Sequence, residues 1–394
     1  MAEGAPTPAS AFKAGHGAGE DWGSAVKACM NSLEAPPEGA NLGLLYATDA
    51  LAGDLSSVLT FLRERTGIEH WVGNVGFGVA ASGVEYHDRP ALSVLTAALP
   101  EAAFRILAPV TNQGAADAIE AFAEQQADWL ARHQGLFSVV HGDPRDPAIA
   151  EIVAQAAARS SGFLVGGLTA SRGPHHQIAG RVIEAGLSGV LFAPEVPVAV
   201  GLTQGCSLIG AARTITEVEG AGVGGAEIGG NVIAAIDGRP ALEVFKEEIG
   251  ELLAHDLRRV GGYIFAAFPI ADSDTGDYLV RNLTGIDPNQ GWISVAEPVE
   301  AGRRIQFCRR DHDAALADLK RMVRDVKARA GTAPKAGLYF SCIARGPSLF
   351  GGESEELRLI EAELGEIPLA GFFGNGEIFN NRLYTHTGVL VLFL

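Results

Sequence analysis

The chain has 394 residues, which is enough for two or three domains and for substantial hydrophobic cores. Hydrophobic residues make up 47% of the sequence and charged residues 20%, a globular composition that excludes a disordered or fibrous chain. The formal net charge of −17 repels phosphate polymers and anionic lipid headgroups, so nucleic acid and the membrane surface are not expected partners.

The N-terminal segment 1–21 contains neither a basic region nor an uninterrupted apolar region. It is therefore not a secretory signal and is expected to form a flexible leader. The sequence lacks a run of roughly 18 apolar residues, so no membrane insertion is expected. The four cysteines form no CxxC pair and no regular framework, as in compartments where thiols stay reduced. These features predict a soluble, cytoplasmic protein.

Apolar residues recur at helical spacing in six segments. These segments are 22–33, 55–62, 149–153, 242–249, 316–326 and 357–364. Short runs rich in valine, leucine and phenylalanine lie between them and predict strands. Fifty glycines cluster at the ends of the apolar runs, which indicates many tight corners around sheets.

One unit occurs three times: an apolar strand, a short polar loop, an amphipathic helix, a glycine-rich corner and two further strands. The copies begin at GLLYATD (43–49), FSVVHGDP (137–144) and GLYFSCIARG (337–346). Their corners are VGNVGFG (72–78), LVGGLTAS (164–171) and LAGFFGNGEI (369–378). Because roughly thirty residues separate each opening strand from its corner, each copy predicts one βαββ unit. The predicted fold class is α/β, with mixed sheets flanked by helices.

The strand-like runs between 263 and 310 precede the third copy, and we interpret them as a degenerate fourth unit whose helix is displaced. The glycine-rich segment 220–230 predicts a linker that divides the chain into two domains around a crevice. The predicted regions are a leader and first helix (1–40), an N-terminal domain (41–222) and a C-terminal domain (226–394).

Gly220, Gly222 and Gly225 in this linker satisfy the GxGxxG pattern. Two more glycines follow where a helix would have to begin, so the linker interpretation is favoured over dinucleotide binding. No GxxxxGK[ST] or GxSxG pattern occurs, which removes the usual P-loop and α/β-hydrolase signatures. No cofactor is predicted.

Cys206 lies in TQGCSLIG (203–210), where a cysteine in a glycine-flanked turn can be exposed to backbone N–H groups that lower its pKa. It is then a candidate nucleophile. The alternative is a small buried cysteine packed under a turn, and the surrounding residues favour that alternative.

A second cluster joins SCIARG (341–346) to GFFGNGEI (371–378). Arg345 leaves the end of the opening strand, and Asn375 and Glu377 lie at the corner of the same unit, so all three are expected to face one crevice. An arginine offers a planar fork to a carboxylate and a glutamate accepts hydrogen bonds from an ammonium group, which suits a small zwitterion such as an amino acid. The alternative is a structural ion pair between Arg345 and Glu377 that holds the loop shut.

The histidines give little evidence for a metal. His175 and His176 are adjacent, so their side chains point apart on a strand. His141 lies in a predicted turn before GDP. Cys308 and His312 form a pair without further ligands nearby. No metal site is predicted.

Four segments in order resemble the signatures of FIST proteins: GFLVGGLTAS (162–171), TQGCSLIG (203–210), FSCIARG (340–346) and AGFFGNGEI (370–378). The resemblance runs from about residue 41 to residue 394 and covers both the FIST N and FIST C regions. It implies a sensory module for small ligands, with amino acids the usual proposal, and so implies binding more than catalysis. Family members often carry an output domain, which neither end of this chain resembles, so a separate signalling protein is the expected partner.

The expected ligand contacts come from these motifs and from the cluster around Arg345. In this hypothesis Arg345 holds a carboxylate and Glu377 with Asn375 holds an amine. The glycine corners at 166–167 and 371–374 admit backbone N–H groups, and binding closes the two halves over the crevice. The full predicted set is Gly166, Gly167, Thr169, Gln204, Cys206, Cys342, Arg345, Gly371, Asn375, Glu377 and Thr387.

The alternative function is an enzyme. It uses Cys206 or Cys342 as the nucleophile on a small acyl or amino-acid-like substrate, with a neighbouring histidine as the base. The resemblance supplies no proven catalytic residue for either cysteine.

Overall fold

A computed structural model describes residues 11–111, 115–160, 162–184, 186–219, 230–270 and 277–394. The chain forms two compact units. The larger unit contains Met1–Gln204 and Leu316–Leu394, and the smaller unit contains Gly205–Ala315. In chain order the smaller unit is an insertion into the larger one, a division that differs from the predicted regions 41–222 and 226–394. Those regions stay a prediction.

The first repeat of the larger unit is a parallel strand pair with its helix, a hairpin and a return strand. Its elements are β1 (Phe12–Ala18), α1 (Trp22–Leu33), β2 (Leu42–Thr48), α2 (Leu55–Thr66), β3 (His70–Gly76), β4 (Gly78–Ala81), β5 (Val84–His87) and β6 (Ala91–Ala97). β2 and β3 pair in parallel, and β6 pairs antiparallel with β2. α1 begins after Asp21, whose carboxylate accepts a hydrogen bond from the Ser24 N–H.

The second repeat has the same order of elements. They are β7 (Phe104–Val110), α3 (Ala115–Gln125), α4 (Ala127–Arg132), β8 (Phe137–Gly142), α5 (Ile149–Ser160), β9 (Phe163–Leu168), β10 (His176–Ala179), β11 (Val182–Glu184) and β12 (Leu187–Phe192). β8 and β9 pair in parallel, and β12 pairs antiparallel with β8. The two repeats therefore share one topology.

The third repeat opens with β13 (Val198–Gln204), after which the chain enters the smaller unit. The elements that follow are β14 (Cys206–Glu219), β15 (Val232–Ile236), β16 (Arg239–Pro240), α6 (Ala241–Ile249), α7 (Glu251–Ala254), β17 (Ile264–Pro269), β18 (Tyr278–Asp287), β19 (Trp292–Val295) and β20 (Arg304–Arg310). The strands form one sheet in the order β14-β20-β17-β18-β19-β15-β16. Phe245 of α6 packs edge-on against Phe307 of β20, with ring centroids 4.9 Å apart.

The remaining elements complete the third repeat. They are α8 (His312–Ala330), β21 (Ala336–Cys342), α9 (Pro347–Phe350), α10 (Glu355–Leu364), β22 (Leu369–Gly374), β23 (Glu377–Phe379), β24 (Arg382–Tyr384) and β25 (Thr387–Phe393). β21 and β22 pair in parallel, β25 pairs antiparallel with β21, and β13 pairs with β25.

The three repeats exchange their hairpins in a cycle. The β4–β5 hairpin of the first repeat pairs with β22 of the third, and the β23–β24 hairpin of the third pairs with β9 of the second. The β10–β11 hairpin of the second repeat pairs with β3 of the first. Each of the three six-stranded sheets described in this unit therefore takes two strands from another repeat.

Backbone hydrogen bonds close the same cycle where the parallel strands end. The Phe77 N–H donates to the Phe373 carbonyl (3.1 Å), and the Ala170 N–H donates to the Val75 carbonyl (3.1 Å). The Asn375 N–H donates to the Leu168 carbonyl (3.1 Å). These residues lie in the three glycine-rich corners of the sequence, so the corners are where the repeats join.

One glycine in each corner strand permits close approach to the neighbouring strand. A Cβ atom on Gly73, Gly166 or Gly371 would lie 1.8 Å from the carbonyl oxygen of the paired strand. Gly73 (φ 151°) and Gly166 (φ 142°) also have positive φ angles. Side chains are therefore excluded at these three equivalent positions.

The predicted mixed α/β fold and its three βαββ copies are confirmed, and each of the six predicted helices is present. The interpretation of 263–310 as a fourth copy is wrong, because β17, β18, β19 and β20 pair antiparallel. The expected leader is also wrong in part, because 12–18 form β1, paired with β6. Residues 220–229 of the predicted linker, with its GxGxxG pattern, lie outside the described residues. Among the helices of the described segments, none has the length and apolar character needed to cross a membrane.

The substitution Gly371→Ala tests the close approach of β22 to β21. It should lower the free energy of unfolding by roughly 3 kcal/mol or more, because the backbone must shift to relieve the contact with the Tyr339 carbonyl. The control is Gly53→Ala, where no atom lies within 4 Å of the new Cβ, and its effect should stay below about 1 kcal/mol. Urea unfolding measures both, and equal stabilities of the two variants would contradict the packing argument.

Candidate functional site

Side chains at equivalent strand positions meet in the interior between the three sheets. Tyr46, His141 and Phe340 occupy the same place in β2, β8 and β21, and the rings of Tyr46 and His141 lie 5.6 Å apart. His141 Nε2 is 3.3 Å from the Tyr46 hydroxyl, and burial lowers the pKa of His141 to about 3. This histidine is therefore neutral at physiological pH.

Several buried polar atoms of the larger unit have no hydrogen-bond partner among the described residues. They include both amide atoms of Asn74, Nδ1 of His141, Nη1 of Arg345 and Oε1 of Glu377. An unsatisfied buried polar group costs about 1–3 kcal/mol. Such groups are retained where a bound molecule or ordered water supplies the missing partner.

Arg345 follows β21 and is fully buried against α10. Its Nε–H donates to Glu356 Oε1 (2.8 Å), and its guanidinium lies 5.1 Å from the centre of the Phe350 ring. Although burial alone would lower the pKa of Arg345, the Glu356 carboxylate raises it above its usual value. The Tyr339 hydroxyl and the Gly346 N–H also donate to Glu356 (2.5 and 3.1 Å), so both oxygens of this carboxyl group accept hydrogen bonds.

Glu377 opens β23 and is buried, with 1% of its surface exposed. Its Oε2 accepts hydrogen bonds from the Thr387 hydroxyl (2.7 Å) and from the Thr387 N–H (3.2 Å). Burial raises the pKa of Glu377 to about 8, against the opposing effect of these two bonds. The carboxyl group is therefore mostly protonated at pH 7.

The alternative interpretation, an ion pair between Arg345 and Glu377, is not present in the described structure, because Glu356 takes the place of Glu377 as the partner of Arg345. The two groups still interact, since the charge of Arg345 lowers the pKa of Glu377. Cys342 lies within electrostatic reach of both. Arg345 and Glu377 thus each keep one hydrogen-bonding atom unused near the carboxyl ends of β21 and β22.

Most of the other predicted ligand residues lie around this pair. Gly167 is the register partner of Glu377, and Gly166 is the register partner of Ile378. Gln204 is the register partner of Thr387, and its N–H donates to Asp318 (2.7 Å).

Three further residues of the predicted set have other surroundings. The Asn375 side chain is exposed at the end of β22. Thr169 follows β9, and its hydroxyl bonds to His175 (2.9 Å). Gly371 packs against the Tyr339 backbone and faces no polar side chain among its nearest atoms.

The two candidate nucleophiles are buried free thiols. Cys206 begins strand β14 of the smaller unit instead of lying in a turn, and its hydrogen bond to Cys308 together with burial raises the pKa of Cys308. Burial likewise raises the pKa of Cys342. Cys342, held neutral in this way, lacks the thiolate that nucleophilic chemistry needs.

The histidines are engaged in structural contacts. His141 lies in strand β8, so the predicted turn is wrong at this position. His176 bonds through Nδ1 to the Ala52 carbonyl and through Nε2 to Glu184, each at 2.9 Å. The contact with Ala52 connects the β10–β11 hairpin to the first repeat, in addition to the pairing of β10 with β3.

Glu356 and Glu85 were not among the residues predicted from the sequence. Glu356 lies four residues before Ile360 and eight before Leu364, on the apolar stripe of α10, so a charged residue on that stripe was a usable signal. Glu85 arrives on the exchanged β4–β5 hairpin, where its carboxylate accepts from the Leu357 N–H (3.3 Å). No local sequence pattern predicts which sheet that hairpin pairs with.

Two known family domains match most of the chain. Residues 41–239 match the FIST N domain, and residues 241–380 match the FIST C domain. An uncharacterized protein of Mycobacterium tuberculosis is 36% identical over 224 residues, which are 54% of this chain and 55% of that protein. An uncharacterized protein of Mycobacterium bovis is 32% identical over 229 residues, 56% of this chain and 55% of that protein. The chain thus spans about half the length of the curated relatives it matches.

Glu356→Gln tests the buried ion pair. It should destabilise the protein by about 3–5 kcal/mol, because Arg345 loses its counter-charge inside the fold. Glu355→Gln on the same helix removes only an exposed pair with Arg358 and should cost less than about 1 kcal/mol. Chemical denaturation separates the two, and a small effect of Glu356→Gln would contradict the assignment.

Glu377→Gln tests the protonation of the buried carboxyl. In the wild type, the pKa of Glu377 in the folded state is about 8, above the usual value of 4.5. The contribution of the protonated carboxyl group to the free energy of unfolding is therefore complete below about pH 4.5 and is lost as the pH rises to about 8. The variant lacks this loss, and its stability relative to wild type should rise by about 4 kcal/mol between pH 4.5 and pH 8.5. The exposed control Glu38→Gln should keep the wild-type profile, and parallel profiles for all three proteins would rule out the shifted pKa.

Proposed function

Because the chain belongs to the FIST family, whose domains are sensory domains of signal transduction, we propose that it is a sensory protein that binds a small amino acid or related zwitterion. The ligand site in this proposal lies at the carboxyl ends of β21 and β22. Ligands of α/β proteins commonly bind at the carboxyl ends of parallel strands.

One observation carries the proposal. A neutral glutamic acid with an unpartnered oxygen lies within electrostatic reach of a guanidinium with an unpartnered nitrogen, and both groups are buried. Glu377 Oε1 then receives the ammonium group of the ligand, and Arg345 Nη1 receives the carboxylate. The exposed residues Asn375 and Ile343, at the ends of the same strands, supply the route from solvent.

The predicted cysteine enzyme has no comparable support, because burial raises the pKa of Cys342. The proposal also includes a cytoplasmic location, since all four cysteines are free thiols, and a separate protein partner that receives the signal. Neither the ligand nor this partner is named by the relatives.

A thermal-shift screen of the amino acids tests the proposal, followed by two matched probes for each ligand found: its deaminated acid and its decarboxylated amine. A ligand at a hundred times its Kd should add roughly 2.7 kcal/mol to stability. Glu377→Gln should weaken the binding of the amino acid and of the amine at least tenfold. Arg345→Lys, which keeps the charge opposite Glu356, should weaken the binding of the amino acid and of the deaminated acid. Glu38→Gln is the control.

Proton release gives an independent readout. Binding of an ammonium group should ionise Glu377, so calorimetry at pH 7 in buffers of different ionisation enthalpy should show release of nearly one proton. The Glu377→Gln variant should release none. Absence of binding by each amino acid tested, or equal affinities in wild type and both site variants, would overturn the proposal.

A further inference from the structure

A second candidate site lies in the second repeat, on the helix-covered face of its sheet. An apolar cavity of about 30 Å³ lies between this sheet and helices α3 and α5. It adjoins a recess of about 320 Å³, lined by Ile119 of α3 and by Gln155, Ala158 and Arg159 of α5. Ile119 and Arg159 line both spaces, so the recess leads into the cavity. The recess has the size of a small ligand pocket.

The first repeat has an aromatic side chain at the corresponding place. There Gly43 of β2 is the register partner of Trp71 of β3, and a Cβ on Gly43 would lie 2.5 Å from the indole ring. The indole is fully buried, and its Nε1–H donates to the Ile68 carbonyl (2.8 Å). The fold therefore accommodates a bicyclic aromatic group between this pair of strands and their covering helices.

The second repeat replaces this pair with Ser138 and Leu164, which are register partners in β8 and β9. Leu164 is smaller than the tryptophan at the equivalent position of the first repeat. Ser138 and Leu164 both line the cavity. The Ser138 hydroxyl is buried and has no hydrogen-bond partner among the described residues. A lone hydroxyl in an apolar cavity favours a ligand that carries a polar atom on its ring.

Charge at the entrance indicates the other end of the ligand. Arg159 is exposed on the last turn of α5, and no ion pair or hydrogen bond of its side chain occurs within the described segments. The polar residue beside it, Gln155, already bonds to Glu151 (2.9 Å). A free guanidinium beside an apolar recess favours a carboxylate.

We propose that this pocket binds a small planar aromatic carboxylate, with its ring in the recess between α3 and α5, its ring heteroatom pointing into the small cavity toward Ser138 and its carboxylate at Arg159. The site is separate from the one at Arg345 and Glu377 and does not depend on the proposed function. It is specific to the second repeat, because Trp71 fills the equivalent place in the first repeat and, in the third, a Cβ on Gly337 would lie only 3.2 Å from the Ile367 side chain.

The test uses the full chain and two probes, indole-3-acetate and uncharged indole, with binding measured by calorimetry. The variant S138G/L164W copies the Gly43–Trp71 pair of the first repeat and should lower the affinity for both probes at least tenfold. Arg159→Gln should lower the affinity for indole-3-acetate about tenfold and leave that for indole unchanged. The control is Arg65→Gln, which alters the equivalent position of α2 and should change neither affinity.

The expected result is saturable binding by the wild type, with these selective losses and with unchanged binding by Glu377→Gln. If S138G/L164W does not fold, the difference between the two probes in Arg159→Gln, a surface variant, decides the matter. Absence of saturable wild-type binding at several millimolar probe, or equal losses for both probes in Arg159→Gln, would overturn the proposal.

Discussion

The larger unit depends on the close approach of three parallel strand pairs, each permitted by one glycine. At Gly73, Gly166 and Gly371 a single methyl group would overlap the carbonyl oxygen of the neighbouring strand. This contact brings the ends of β3, β9 and β22 close enough for backbone hydrogen bonds to join each repeat to another. Since each sheet is completed by a hairpin from another repeat, the three repeats are expected to fold as one cooperative unit.

The same exchange assembles the candidate site. Glu377 belongs to a hairpin that pairs with β9 of the second repeat, whereas its partner Thr387 lies on β25 of the third. Glu85 arrives in a similar way from the first repeat and accepts a hydrogen bond at the start of α10. Strand pairing between the repeats thus buries these carboxyl groups away from water. The backbone hydrogen bonds of that pairing explain how the fold tolerates the free-energy cost of burying them. A rigid backbone holding a neutral acid is suited to recognising a cation.

Periodicity and glycine placement made much of the fold predictable from the sequence. The apolar stripe of Leu357, Ile360 and Leu364 predicted α10. The three glycine-rich corners predicted the three βαββ copies. The exchange was not predictable, because the short apolar strands β4 and β23 carry no information about which sheet accepts them. The helix α3 was missed because its alanine-rich sequence contains few large apolar residues. The insertion of the smaller unit after β13 was missed because its strands resemble those of the repeats.

The site was predicted in part. Repeat position correctly brought Arg345, Cys342 and Glu377 to one end of the third unit, since the ends of parallel strands are adjacent. The sequence could not predict which acidic residue pairs with Arg345. Glu356 and Glu377 are both acidic, and only the packing of α10 places Glu356 against Arg345. The low pKa of His141 and the high pKa of Glu377 follow from burial, which depends on the assembled repeats.

The central claim is that Glu377 is a neutral acid in the free protein and becomes a carboxylate when it receives the cation of the ligand. Carbon-13 NMR titration of the side-chain carboxyl, assigned with Glu377→Gln, measures this directly. The account predicts a pKa of about 8 in the free protein and a clear decrease when the amino-acid ligand is bound. A pKa near the usual value of 4.5 in the free protein, or the same pKa with and without ligand, would contradict it.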